Sequence, residues 1–187
     1  MVAGPGDATA EWDPGARLDL SAYAPPLPSP PGPPPARPGL PPALGLGAML
    51  LDQAGYTGRR VFQAVDRAEP SAACARLGAR LAAGPRTALL AMGDGSARRT
   101  TAAPGYLDER AVPFDLNIEK AVRAGDLTTL AGVDPALARE LMASGRPAWQ
   151  LLAGALGPRA ATEVLYAGAP YGVSYLVAVL TPAPAGE

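Results

Sequence analysis

The stretch from Thr87 to Arg110 constrains this chain most. It opens on six residues without a charge, Thr87-Ala88-Leu89-Leu90-Ala91-Met92, and breaks at Gly93-Asp94-Gly95-Ser96-Ala97-Arg98-Arg99. Such a run predicts a strand covered on both faces, and glycines at 93 and 95 permit the positive φ of a sharp exit. In open α/β folds the loops after such strands form the ligand crevice. Asp94, Ser96, Arg98 and Arg99, with Tyr106 downstream, are therefore the expected lining of a cleft. The competing reading is a surface turn with solvated arginines.

The flanking segments supply the rest of an α/β pattern. Apolar residues Leu46, Met49 and Leu50 recur at helical spacing within 43–54, with Gly55 able to close the helix. Residues 60–65 read as a strand. Ser71 is the expected N-cap of a helix over 72–83, with Leu77 and Leu81 on one face. The strand–helix–strand order implies a parallel crossover that delivers the loop at 93–97 to the carboxyl edge of a sheet. A helix over 114–124 presents Ile118, Ala121 and Val122. Asp126 caps a short turn, Asp134-Pro135 starts a helix reaching Ser144, and Trp149 packs inward from one more helix. Residues 161–166 and 173–180 form a hairpin that closes the sheet. The expected fold is a single α/β domain over 1–180, a three-layer sandwich with a mainly parallel central sheet and a C-terminal β-hairpin, followed by a tail at 181–187.

Residues 24–42 interrupt this pattern with nearly half of the 23 prolines. Proline lacks an N–H and fixes φ, so the stretch predicts an extended polyproline II connector inserted in the domain. Composition narrows function. With 16 basic and 17 acidic residues the net charge is −1, which gives no bulk attraction to nucleic acid or an anionic membrane. The chain has no histidine, the commonest metal ligand and proton shuttle near neutral pH. Its one cysteine, Cys74, excludes an internal disulfide and is expected to pack as a small apolar residue. The uncharged stretch 164–186 is interrupted by Gly168, Pro170 and Gly172 and suits strands rather than a membrane span. A cytoplasmic protein is expected.

Gly93-Asp94-Gly95-Ser96-Ala97 resembles the Gly-Asp-Leu-Ser-His segment of class III extradiol ring-cleavage dioxygenases, the LigB-like superfamily, and of the related Memo-like proteins. The following residues, Ala103 to Asp115, resemble a short, alanine-rich bacterial branch of it, and the likeness extends from Val2 to about Val179. The resemblance implies an α/β fold and a ferrous-iron cofactor held by two histidines and a carboxylate. It also places the family's acid/base histidine at Ala97, a metal-binding histidine at Asp7 within a Gly-Pro loop, and the family's glutamate ligand near Ser144. Memo-like proteins carry a Cys-Gly-Arg-x-Pro element there, matched by Ser144-Gly145-Arg146-Pro147. Read without the family, Asp7 is a turn former and Glu140 a solvated helix charge.

Three functions follow as expectations. The first is a diverged homologue that no longer opens aromatic rings and keeps a cleft for a small aromatic or anionic ligand. The second is an active non-haem-iron dioxygenase whose remaining ligands lie in a preceding N-terminal segment. The resemblance places Val2-Ala3 at the end of a strand well inside the family's fold, so a strand and helix are expected to precede it. Without them an uncovered sheet edge invites self-association into a homo-oligomer. The third is an interaction protein that uses the proline-rich stretch. On the first reading no cofactor is expected: after anaerobic loading, elemental analysis should find no stoichiometric iron on the purified chain.

Overall fold

The structure is a computed structural model that describes residues 1–16, 18, 39–84 and 87–183. Most of the proline-rich connector expected over 24–42 lies outside the described residues. A four-stranded sheet holds β1 (Val2–Gly6), β2 (Ala10–Trp12), β3 (Phe62–Asp66) and β4 (Leu90–Ala91) in the order β2-β3-β1-β4. β1 is parallel to β3 and β4, and β2 is antiparallel to β3. Helix α1 (Pro42–Gln53) covers one face; α2 (Ser71–Ala82) and α6 (Arg146–Leu156) cover the other. Between β4 and α6 the chain forms α3 (Ala111–Arg123), α4 (Leu127–Ala131) and α5 (Pro135–Glu140). The chain ends in an antiparallel pair, β5 (Ala160–Gly168) and β6 (Tyr175–Pro182). The α/β class, the mostly parallel sheet and the C-terminal hairpin are thus those the pattern predicts.

The alternation of side chains along the strands builds two of the cores. Val2, Phe62, Ala64, Leu90 and Met92 meet Leu44 of α1, whereas Ala3, Val65 and Leu89 meet Cys74, Leu77 and Leu151 of α2 and α6. A third cluster joins Ile118, Leu127, Leu130 and Ala153 to the inward residues of the hairpin, Leu176, Ala178 and Leu180. Among the described residues no helix is long and apolar enough to cross a membrane.

Four expectations change. The first concerns 87–92, which is not an inner strand: only Leu90–Ala91 pair, at the edge of the sheet, and both are half-buried. Pro5 gives the reason. Ala3 faces β4, where it accepts from the Met92 N–H at 2.7 Å. Pro5, two residues on, faces the same way and has no N–H to extend the ladder.

The second concerns α1, which buries Leu44, Gly45 and Gly47 and leaves Leu46, Met49 and Leu50 exposed. A Cβ on Gly47 would stand 2.5 Å from Val2 Cγ1, so the small face lets helix and strand approach. In the third, Pro70 precedes the first residue of α2 and no side chain caps it; the Ser71 hydroxyl instead accepts from Gln150 Nε2 at 3.0 Å. Finally, the hairpin forms its own sheet and does not pair with the four-stranded one.

The contact between α2 and α6 is made by two glycines. A Cβ on Gly78 would lie 1.9 Å from the Leu151 carbonyl oxygen, and one on Gly154 would lie 2.0 Å from that of Ala75. Both obstacles are backbone and cannot rotate aside. Gly78→Ala should therefore destabilise the fold by about 1–3 kcal/mol or more through overpacking, read as a lower midpoint in urea unfolding.

Candidate functional site

The loop after β4 is anchored on every side before it reaches solvent. Gly93 runs against Gly145, whose Cα would lie 2.3 Å from an added Cβ, and the Gly145 N–H donates to the Asp94 carbonyl at 2.8 Å. A Cβ on Gly95 would meet Ser174 Cβ at 2.7 Å and Asp115 Oδ1 at 3.0 Å. These glycines are needed for close approach, and Gly95 has no positive φ. The Ala97 N–H donates to the Leu141 carbonyl at 3.1 Å, and Gly105 N–H returns to Ala97 O at 2.9 Å.

Ser96 points inward. It is fully buried; its N–H donates to Asp115 Oδ1 at 2.9 Å and its hydroxyl to Oδ2 at 2.6 Å. Asp115, on α3, is itself buried, and loss of water raises its pKa against the opposing pull of Ser96, Arg99 and Ser174. Arg99 Nε stands 3.9 Å from Asp115 Oδ2 and is half-buried. Asp94 is exposed, yet crowding around its carboxyl withdraws enough water to raise its pKa. Its charge also helps raise Tyr175, where desolvation is the larger cause.

Beside this loop opens a cleft of about 1080 Å³, bounded by β4, β6, α3 and α6. Of the residues expected to line it, Arg99 does so, joined by Gly95, Asp115 and Ser174. Ser96 is behind the wall. Arg98 packs towards Gly105 and leaves its Nε buried without a hydrogen-bond partner among the described residues. Tyr106 is 64 % exposed and holds φ at 60°, a left-handed conformation rare for a bulky residue. The motif around it is structural: Asp108 bonds Arg110, which holds the Asp108 carboxyl down to about 2, and Arg110 reaches Glu140 at 2.8 Å. Glu140 is thus ion-paired.

The three positions that the dioxygenase resemblance assigns to metal and base do not form a metal-binding set. Asp7 is an exposed bend residue paired with Arg67. Ser144 is half-buried, and Ala97 has no proton to transfer. Among the described residues no group of three or more His, Cys, Asp and Glu side chains could hold a metal ion. This donor set does not fit ferrous iron.

Arg146 and Gln150 escaped sequence reasoning because charged and amide side chains are expected outside. Arg146 is 2 % exposed; its guanidinium donates to the carbonyls of Arg67 and Glu69 and, at 2.9 Å, to Gln150 Oε1. The signal for it was Gly145-Arg146-Pro147 at the start of a helix, where a solvated cation would oppose the helix dipole. Cys74 is buried beside this group, and burial raises its thiol pKa, as suits an inert packed cysteine. The chain matches no protein-family model and no curated protein, so the likeness at Gly93–Ala97 rests on the residues themselves.

The raised Asp115 carboxyl has a sign that can be tested. The native state holds this proton more readily than the unfolded chain. That preference favours folding below the ordinary carboxylate range and is lost as pH rises through the raised native value. Asp115→Asn cannot titrate, so wild type should gain stability relative to the variant between about pH 7 and about pH 4, measured by urea unfolding at both.

Proposed function

We propose that this chain is a diverged homologue of the extradiol dioxygenases that does not cleave rings and binds a small aromatic or anionic ligand in its cleft. One observation carries the reading. Arg99 lines the cleft with no side-chain hydrogen bond among the described residues, and its ion-pair partner Asp115 stands as far off as 3.9 Å. A guanidinium so placed keeps donors free for a carboxylate or phosphate, and withdrawal from water strengthens that bond. Ile118, Trp149 and Leu176 offer apolar surface next to it for a ring. The absence of imidazole from the positions that resemble the family's site supports binding without turnover. On this reading the protein works in the cytoplasm and needs no cofactor.

Benzoate, which joins a ring to a carboxylate, is the simplest probe. It should raise the melting temperature of the chain saturably, and less so at high salt because the contact is ionic. Arg99→Gln should weaken benzoate binding about tenfold or more, since a charge-assisted hydrogen bond contributes about 1.5–3 kcal/mol. Equal shifts in both proteins would remove the guanidinium from the reading.

A further inference from the structure

Two strand edges border the cleft. Leu90 and Met92 donate their N–H groups towards β1, so alternation turns the N–H and C=O of Leu89 and Ala91 the other way, where the sheet order ends. Among the described residues β6 pairs only with β5. Consecutive residues of both strands line the cleft: Leu89, Leu90 and Ala91 on one wall, Ala178, Val179 and Leu180 on the other. Neighbours from both faces of a strand line a cavity together only when the strand turns its edge to it. The walls meet at one end, where Gly95 N–H donates to Ser174 O and Ser174 N–H to Ser96 O, both at 2.9 Å. β4 runs into that junction and β6 runs out of it, so the two edges are antiparallel. Side chains of α3 and α6, including Val122, Leu152 and Leu156, form the floor.

We propose that this slot takes one added β-strand, an extended, proline-free segment of another polypeptide that hydrogen-bonds to β4 on one side and β6 on the other. Both walls demand main-chain donors and acceptors, which a small apolar ligand lacks and a strand supplies in alternation. Edge strands of solitary proteins carry charges that repel such pairing. β6 carries none, because 164–186 holds no charged residue. An uncharged segment therefore fits, with large apolar side chains on alternate positions facing the floor. At roughly 3.3 Å per residue, a segment of about six residues runs as far as Tyr175–Leu180 of β6. Proline-rich sequence such as 25–42 offers few of the N–H groups that both walls require, so it does not fit. A second copy offers no lone strand either, since each of its described strands is already paired.

The proposal is independent of Arg99, which sits at the closed end. The test uses the full chain and the peptide acetyl-Thr-Val-Thr-Ile-Thr-Val-Thr-amide, followed by amide exchange in NMR. Exchange at Leu89 and Ala91, and at the β6 amides that do not bond β5, should slow about tenfold or more. The same peptide methylated on alternate nitrogens should give no such protection. No slowing at millimolar peptide, or equal protection by the methylated form, would overturn strand addition. Arg99→Gln should keep the protection while losing benzoate, so the two readings fail separately. Loss of protection in that variant would also overturn the proposal.

Discussion

A cation buried with no carboxylate ion-paired to it among the described residues organises this protein. Arg146 is the first residue of α6, where the helix dipole disfavours positive charge, and it is removed from water. Its charge is tolerated because backbone carbonyls of Arg67 and Glu69 and the amide oxygen of Gln150 surround it. Those carbonyls belong to the turn after β3, so the guanidinium ties the start of α6 to the carboxyl edge of the sheet. Gln150 extends the tie: its Nε2 donates to Ser71 Oγ at 3.0 Å and to the Val133 carbonyl at 2.9 Å. One buried network thus fixes α2, α6 and the segment after α4 relative to β3.

The loop after β4 depends on that placement. Gly145 precedes Arg146 and is held where its N–H reaches Asp94 O and where Gly93 can pass with no Cβ between them. Further along α6, Gly154 meets α2 opposite that helix's Gly78 face, and the two glycines let the helices lie at backbone distance. A helix that close brings Leu151 into the core under β1 and β3. Burial of an aliphatic side chain contributes about 1.5–3 kcal/mol, so the close approach favours folding while leaving no room for a larger residue. The site is therefore built from the helix outward, and the half-buried Arg98 and Arg99 are its last layer.

Local signals survived folding where local chemistry decides. Asp126 accepts from Thr128 and Thr129, and Asp134 from Ala136, as their positions ahead of apolar helices predict. Ile118, Ala121 and Val122 are buried together on α3, as their spacing requires. Signals failed where a distant partner decides. The apolar face of α1 is exposed because β1 turns Val2, Gly4 and Gly6 towards the helix, and a Cβ on Gly4 would stand 2.9 Å from Ala43 Cβ, so only a small face fits at this range. The run 87–92 looked like a covered strand, yet a proline on its neighbour ends the ladder. In the loop itself, the sequence singled out Asp94, Ser96, Arg98 and Arg99 as cleft-lining, and of these Arg99 lines the cleft. It could not say that Ser96 turns inward, since that depends on Asp115 arriving from a helix 19 residues later.

That inward turn decides what chemistry the loop can offer. A serine bonded through both its N–H and its hydroxyl to one buried carboxylate has no free role in a reaction; it locks the backbone between Gly95 and Arg99. The lock also sets the charge next to Arg99. With Asp115 ionised, the guanidinium is partly balanced across 3.9 Å and an arriving anion meets a weakened field. With Asp115 protonated, which its raised pKa favours as pH falls, Arg99 presents its full charge to the cleft. The charge that Arg99 presents at this end of the cleft is thereby coupled to the proton on Asp115.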